Sequence, residues 1–330
     1  MPIRVAVVGG GSWGTTVAAL ACRNVPTLLW CRRPELAQAI NSDRCNPDYL
    51  PDFDLPPELT ATASMEEAVG SADVLVMGVP SHGMRGTLRE LGPYVRPWVP
   101  VVSLAKGLEQ STHQRMTEVI SDELPGHPTG VLTGPNLAKE ILSGHAAASV
   151  VAFSDAHVAT ELQRILAGEL FRVYTNPDVV GCEIAGALKN VIAIASGMAD
   201  GLGTGDNTRA AVITRGLAEL SRLGVAMGGQ PSTFFGLAGM GDLVATCISR
   251  QSRNRYVGEQ LGLGRSLDEI VAEMSMVAEG VKTSKVVVEL AERYEVEMPI
   301  ATEVYGVIHQ GRTAVDAYRG LLHRASGPEL

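Results

Sequence analysis

Ile3-Arg4-Val5-Ala6-Val7-Val8-Gly9-Gly10-Gly11-Ser12-Trp13-Gly14 decides how the first half of the chain is read. Ile3 to Val8 is a short apolar, β-branched run bounded by glycines, the pattern of a strand buried in a parallel sheet. Glycines follow at the spacing Gly9-x-Gly11-x-x-Gly14, and a helical stretch continues from about Gly14 to Arg23. A pyrophosphate held at a helix N-terminus needs backbone N–H groups and no side chain in its path. Strand, glycine turn and helix in that order meet both needs, so the stretch reads as a dinucleotide-binding turn. A tight structural turn is the plain alternative.

Working outward, strand and helix signals alternate. Strands are expected at Thr27–Trp30, Ala72–Val79, Pro100–Ala105, Thr129–Thr133, Ser149–Phe153 and Phe171–Tyr174. Strands separated by helical segments imply an α/β fold, a Rossmann-like domain with a mostly parallel sheet and helices on both faces. The character changes near Thr175-Asn176-Pro177, where Asn176 reads as a helix cap and Pro177 as the first helical residue. Helical patterns then dominate, at Glu183–Asp200, Asn207–Leu223, Ser266–Met274 and Ser284–Glu295. The expected division is a dinucleotide-binding domain over 1–180 and an all-α substrate-binding and catalytic domain over 181–330.

Composition bounds the function class. The 330 residues are 45% hydrophobic and 19% charged, as in a globular protein with a large core. A formal net charge of -9 argues against nucleic acid and anionic membrane surfaces as partners. The apolar run Ile3–Val8 is too short to span a bilayer, so no integral membrane segment is expected there. The cysteines Cys22, Cys31, Cys45, Cys182 and Cys247 form no C-x-x-C pair, so neither a metal site nor a redox motif is expected. A cytoplasmic location follows from these readings.

Candidate site residues stand out against this background. The end of the second expected strand reads Trp30-Cys31-Arg32-Arg33-Pro34. An acidic residue there would accept from the free ribose hydroxyl of NAD, whereas two arginines suit the 2′-phosphate of NADP. Solvated surface arginines are the other reading. Lys189 is the only charged residue between Ile184 and Ala199, beside a helical stripe of Ile184, Leu188, Val191 and Ala195. A lysine in that setting needs a partner or must snorkel to water. Lys106 follows a strand, where ligands collect in open α/β sheets, or is an exposed loop lysine. Gly236 to Leu243 is a glycine-rich turn presenting Asp242, and Ser252-Arg253-Asn254-Arg255 follows. Ser252, Arg253 and Asn254 offer three kinds of donor to an oxyanion, while Arg250 and Arg255 read as solvated charges. These residues fit hydride transfer on a small phosphorylated hydroxy or keto compound.

The chain resembles the bacterial-type NAD(P)-dependent glycerol-3-phosphate dehydrogenases. The resemblance is carried by Gly9 to Thr15, Leu29 to Glu35, Ser103 to Gly107, Gly134 to Glu140, Gly186 to Asn190, Gly201 to Asn207, Gly236 to Leu243 and Ser252 to Arg255. It implies reversible reduction of dihydroxyacetone phosphate to sn-glycerol 3-phosphate for glycerophospholipid synthesis, with NADP(H) or NAD(H) as cofactor. Gly9, Gly11, Ser12, Trp13, Gly14, Arg32, Arg33, Lys106, Ala138, Arg253, Val277 and Glu279 would then face the cofactor. Lys106, Gly134, Asn136, Lys189, Asp242, Ser252, Arg253 and Asn254 would surround the substrate. The family usually has Ser or Thr where this chain has Asn136, whose amide can still donate. Lys189 is the expected proton-transfer group, with Asp242 orienting it, and a homodimer is the expected assembly. A related dehydrogenase of another small hydroxy acid and a non-enzymatic dinucleotide sensor are the competing readings.

Overall fold

In the computed structural model, residues 2–274 and 278–323 are described. Val5–Val8 forms β1 and Ser12–Ala21 forms α1. They are followed by β2 (Thr27–Trp30), α2 (Pro34–Ser42), β3 (Thr60–Thr62), α3 (Met65–Val69), β4 (Val74–Met77) and α4 (Met84–Leu91). Next come β5 (Val101–Ser103), α5 (Met116–Glu123), β6 (Thr129–Thr133), α6 (Ala138–Leu142), β7 (Ala147–Phe153), α7 (Ala156–Leu166) and β8 (Phe171–Asn176). The strands form an eight-stranded sheet in the order β3-β2-β1-β4-β5-β6-β7-β8. All neighbours are parallel except β6 and β7, which run antiparallel. The chain moves outward from β1 through β2 to β3, then returns to lay β4 on the other side of β1. The turn after β1 therefore opens at a topological switch point, where α/β sheets bind ligands.

Strand alternation explains the two cores. Val5, Val7, Leu29, Val74, Val76, Val102, Leu132 and Val151 face one side and pack with α1, α2 and α7. Ala6, Val8, Trp30, Leu75, Met77 and Val101 face the other and pack with α3, α4 and α5. Both faces are covered, so the strands carry continuous apolar runs rather than a polar alternation. The edge strand β3 lacks such a run and was not among the expected strands; its sequence is Thr-Ala-Thr.

The chain divides into two compact units, Met1–Glu183 and Ile184–Leu330. The expected helix start at Pro177 is corrected by two residues. Asn176 still pairs with Ala152 in the ladder of β7 and β8, so it belongs to the strand. Asp178 caps instead, its Oδ1 accepting from the Gly181 N–H at 2.8 Å, and α8 (Val179–Gly201) begins one residue later. α8 is long and apolar enough to cross a membrane, but 89% of its most apolar stretch is buried inside the protein, as in a core helix.

Around it are α9 (Asp206–Ala226), α10 (Pro231–Phe234), a π-helical turn (Leu237–Gly241), α11 (Asp242–Ile248) and α12 (Arg253–Gly262). The chain continues with α13 (Leu267–Glu273), α14 (Glu279–Arg293), α15 (Pro299–His309) and α16 (Ala314–Leu322). α8 and α12 meet backbone to backbone. A Cβ on Gly197 would lie 2.0 Å from the Arg255 carbonyl oxygen, and one on Gly258 would lie 2.0 Å from that of Ile194. Gly201 and Gly262 extend the contact one turn further. Glycines four apart on both helices remove the side chains that would keep the axes separated.

Candidate active site

In the first unit the glycine turn is built by three separate constraints. Gly9 adopts φ +123°, a conformation glycine tolerates, and a Cβ there would lie 2.7 Å from the Gly78 carbonyl oxygen. A Cβ on Gly14 would lie 2.0 Å from the Gly9 oxygen, so this glycine lets α1 close onto the strand. Gly11, the N-cap of α1, has nothing within 4 Å of the position its Cβ would take. That open side is the cradle a pyrophosphate requires, and no acidic residue lies in the first turn of α1. Ser12 opens the helix. Trp13 beside it is half-buried, and its indole Nε1 is a buried donor without a protein acceptor. The residues present thus fit a dinucleotide.

The turn is held from beneath by a residue that no sequence pattern marks. Asn46, fully buried, donates from Nδ2 to the Gly10 carbonyl at 2.9 Å and to Thr15 Oγ1 at 2.8 Å. A lone Asn in a polar loop carries no signal for this, because its partners lie 36 and 31 residues away. Arg32 and Arg33 are exposed at the end of β2. Arg33 caps the start of α2 with its backbone and ion-pairs through Nη2 with Asp48.

Lys106 and Gly134, separate stretches in sequence, are brought together at the carboxyl ends of β5 and β6. Lys106 is half-buried, and its Nζ donates to the Gly134 carbonyl at 2.8 Å. Gly134 has φ +127°. Asn136 Oδ1 accepts from Ser149 Oγ at 3.0 Å, which leaves its buried Nδ2 as a donor without a protein acceptor. Ala138 opens the short helix α6. The loop after Lys106 is clamped by Arg85 of α4, which grips Glu109 through Nε and Nη2, both at 2.8 Å. Arg85 also reaches Glu123 at 2.7 Å.

In the second unit Lys189 is buried at 4% exposure beside Asp242 at 2%. Its Nζ donates to Asp242 Oδ1 at 2.7 Å and to the hydroxyl of Thr246, which in turn donates to the Asp242 carbonyl at 2.7 Å. Thr246 lies one helical turn after Asp242 on α11 and was not singled out from sequence. The i, i+4 spacing on a helix was the available signal. Buried charges of this kind persist only when paired and hydrogen-bonded.

One residue beyond Lys189, Asn190 Oδ1 accepts from Asn254 Nδ2 at 2.9 Å, and Asn254 Oδ1 accepts from the Gly280 N–H at 2.9 Å. This ties the start of α12 to α8. Ser252 is the N-cap of α12, its hydroxyl oxygen accepting from the Arg255 N–H at 3.2 Å. Arg253 occupies the first helical position and is exposed. Surrounding protein lowers its pKa from the ordinary value while Glu279, at the start of α14, opposes the shift. A guanidinium in that setting stays cationic.

Arg255 corrects the sequence reading. It is buried, not solvated, because Asp200 receives its Nε and Nη2 at 2.9 Å and Glu259 its Nη1 at 3.1 Å. Arg250 is exposed as expected. Val277 lies outside the described residues. No cluster of metal-ligating side chains occurs among the described residues.

Comparison with known proteins agrees across the chain. The sequence profile of the NAD-dependent glycerol-3-phosphate dehydrogenase N-terminus matches residues 4–159, and that of the C-terminus matches residues 178–319. The NAD(P)+ glycerol-3-phosphate dehydrogenase 2 of Sphingopyxis alaskensis is 59% identical, over 100% of this chain and 99% of its own length. The Mycobacterium avium glycerol-3-phosphate dehydrogenase is 56% identical over 99% of this chain and 96% of its own length. The crystal structure of glycerol-3-phosphate dehydrogenase from Coxiella burnetii superposes with a TM-score of 0.93 at 34% identity, covering 98% of this chain and 99% of that one.

Proposed function

The chain belongs to the NAD-dependent glycerol-3-phosphate dehydrogenase family, and from that premise we propose how its residues reduce dihydroxyacetone phosphate reversibly to sn-glycerol 3-phosphate with NADPH or NADH. The observation that carries the assignment of roles is the buried Lys189–Asp242 pair, completed by Thr246 and joined through Asn190 to the start of α12. The nicotinamide, when bound, supplies a hydride to the carbonyl carbon. Lys189 donates a proton to the C2 oxygen as negative charge develops there, and in the reverse direction takes it back. Asp242 and Thr246 hold the Lys189 Nζ in one place, which removes the side-chain freedom that would blur its aim.

The phosphate is held by Arg253 with Ser252 and Asn254 at the N-terminus of α12, a ten-residue helix with no acidic residue in its first turn. Lys106 and the free amide donor of Asn136 supply further contacts to substrate oxygens. The Gly9 to Gly14 turn with Ser12 and Trp13 holds the pyrophosphate, and Arg32 and Arg33 read the 2′-phosphate. Ala138, Glu279 and Val277 complete the cofactor contacts. The product supplies glycerophospholipid synthesis. A cytoplasmic enzyme is supported by five thiols that form no disulfide. A homodimer is supported by exposed apolar side chains along one short stretch of chain: Phe235, just after α10, at 63%, Met240 in the π-helical turn at 41% and Ile248 at the end of α11 at 55%.

Following NADPH oxidation at 340 nm, with dihydroxyacetone phosphate and unphosphorylated dihydroxyacetone side by side, tests the proposal. The phosphorylated substrate is expected to turn over at least about 100-fold more efficiently, because a buried or charged donor set left unpaired is costly. Lys189→Ala is expected to lower kcat by about 100-fold or more while NADPH still binds. Equal turnover of the two substrates, or near-normal kcat in Lys189→Ala, would refute it.

A further inference from the structure

We propose that Asp48 sets the balance between NADPH and NADH by holding Arg33 whenever no 2′-phosphate is present. The inference rests on the reading above that Arg32 and Arg33 face the adenosine ribose. The end of β2 carries no acidic residue that could accept from a free 2′-hydroxyl. The structure delivers one from another element. Asp48, from the loop between α2 and β3, ion-pairs with Arg33, and both side chains are open to solvent, Arg33 at 56% and Asp48 at 37%. Arg32, exposed beside them, takes part in no ion pair with a described residue.

The position of Asp48 is built rather than incidental. Two residues before it, Asn46 is pinned to the Gly10 carbonyl and to Thr15 of α1. Asn46 Oδ1 accepts from the Tyr49 N–H at 3.2 Å, and its carbonyl accepts from the Leu50 N–H at 2.8 Å. Leu50 is fully buried. Asp48 thus lies in a turn fastened at both ends, and fastened to the phosphate-binding turn itself. Arg33 is anchored as the N-cap of α2, with Pro34 following. Neither partner gives up much backbone freedom to meet the other.

This geometry makes Asp48 a specificity-determining residue with two opposing effects. A 2′-phosphate must share or compete for the Arg33 guanidinium, whose Nη2 Asp48 holds, and tolerate a like charge nearby, which weakens NADPH. A free 2′-hydroxyl leaves the ion pair intact and finds in Asp48 the acceptor that the end of β2 lacks, which favours NADH. The result is a site that takes both cofactors instead of excluding one.

Dissociation constants for NADPH and NADH, measured calorimetrically without substrate, test this in the wild type, Asp48→Asn, Arg33→Ala and the double variant. Asp48→Asn is expected to tighten NADPH about three- to tenfold and to leave NADH unchanged or weaker, with the gain shrinking at high salt. In the Arg33→Ala background the same substitution is expected to lose most of that gain. An unchanged NADPH to NADH ratio in Asp48→Asn overturns the proposal, as does a full gain without Arg33. Asp48→Ala repeats the measurement with a side chain that can neither pair nor accept. If Arg33→Ala itself leaves NADPH binding unchanged, the assignment of Arg33 to the ribose fails as well. If Arg33→Ala weakens NADPH and Asp48→Asn is silent, only the role of Asp48 fails.

Discussion

Lys189 and Asp242 lie 53 positions apart, and neither side chain would be stable alone at its depth. Removing one partner leaves a buried charge with no counter-charge, which costs about 3–5 kcal/mol. Asp242→Ala is therefore expected to lower the unfolding free energy by about that much in urea titrations. Replacing both residues together, as Lys189→Met with Asp242→Leu, is expected to cost clearly less than the sum of the single changes. Strict additivity would show that the pair is not coupled. From the residues themselves, the isolation of Lys189 in an apolar helix was legible, and so was the glycine-flanked carboxylate of Asp242. Asp242 as the group that orients Lys189 was implied only by the family resemblance. The residues alone did not show that the two touch, because a contact across 53 positions leaves no spacing signal. Thr246 left one, its i, i+4 spacing from Asp242, which pointed to Asp242 and not to Lys189.

At the scale of elements, the crossing of α8 and α12 places the start of α12 beside Asn190. The crossing depends on glycines whose absent side chains would strike backbone atoms, which cannot rotate away. Gly197→Ala is expected to cost about 3 kcal/mol or more, at the upper end of overpacking effects. Gly86→Ala is the matched contrast. Gly86 lies exposed in α4 with nothing within 4 Å of the position a Cβ would take. There the substitution is expected to stabilise by about 0.5–1 kcal/mol, by restricting the unfolded chain and favouring helix. Thermal melting of the two variants checks both signs, and a destabilised Gly86→Ala would contradict the second. The strands and the long helices could be read from periodicity. The short edge strand β3 could not, because it carries no apolar run, and the start of α8 shifted because the ladder with β7 claimed Asn176.

At the scale of the whole molecule, a net charge of -9 is organised by arginines that grip particular carboxylates. Arg96 holds Asp73 below the usual carboxylate range, Arg85 does the same to Glu109, and Arg89 with Arg85 does so to Glu123. A carboxylate whose folded pKa is depressed contributes stability above its unfolded pKa and loses it as pH falls through the folded value. Glu183 runs the other way. Burial raises its pKa against Arg115 and Thr117, so its contribution is present at low pH and is lost as pH rises through the folded value. With several depressed groups against this one, the unfolding free energy is expected to fall as pH drops below the ordinary carboxylate range. Arg85→Ala removes the grip on Glu109 and Glu123. Its deficit relative to wild type should be largest near neutrality and shrink on acidification, as followed by urea unfolding at a series of pH values. A deficit independent of pH would show that Arg85 acts only through packing.

The sequence by itself determined the α/β order, the dinucleotide turn, the basic end of β2 and the set of polar residues that carry the family resemblance. Each of these is a local matter: side-chain period, glycine at a tight turn, or charge at the end of a strand. Only the tertiary structure decided which of those residues meet. It paired Lys189 with Asp242 and Thr246, turned Arg255 inward onto Asp200, drew Lys106 to Gly134, and set Asn46 beneath the glycine turn and Asp48 against Arg33. The physical reason is common to all of them. A buried or paired polar group is stabilised by whatever the fold brings within about 3 Å of it, and that neighbour can come from anywhere along the chain.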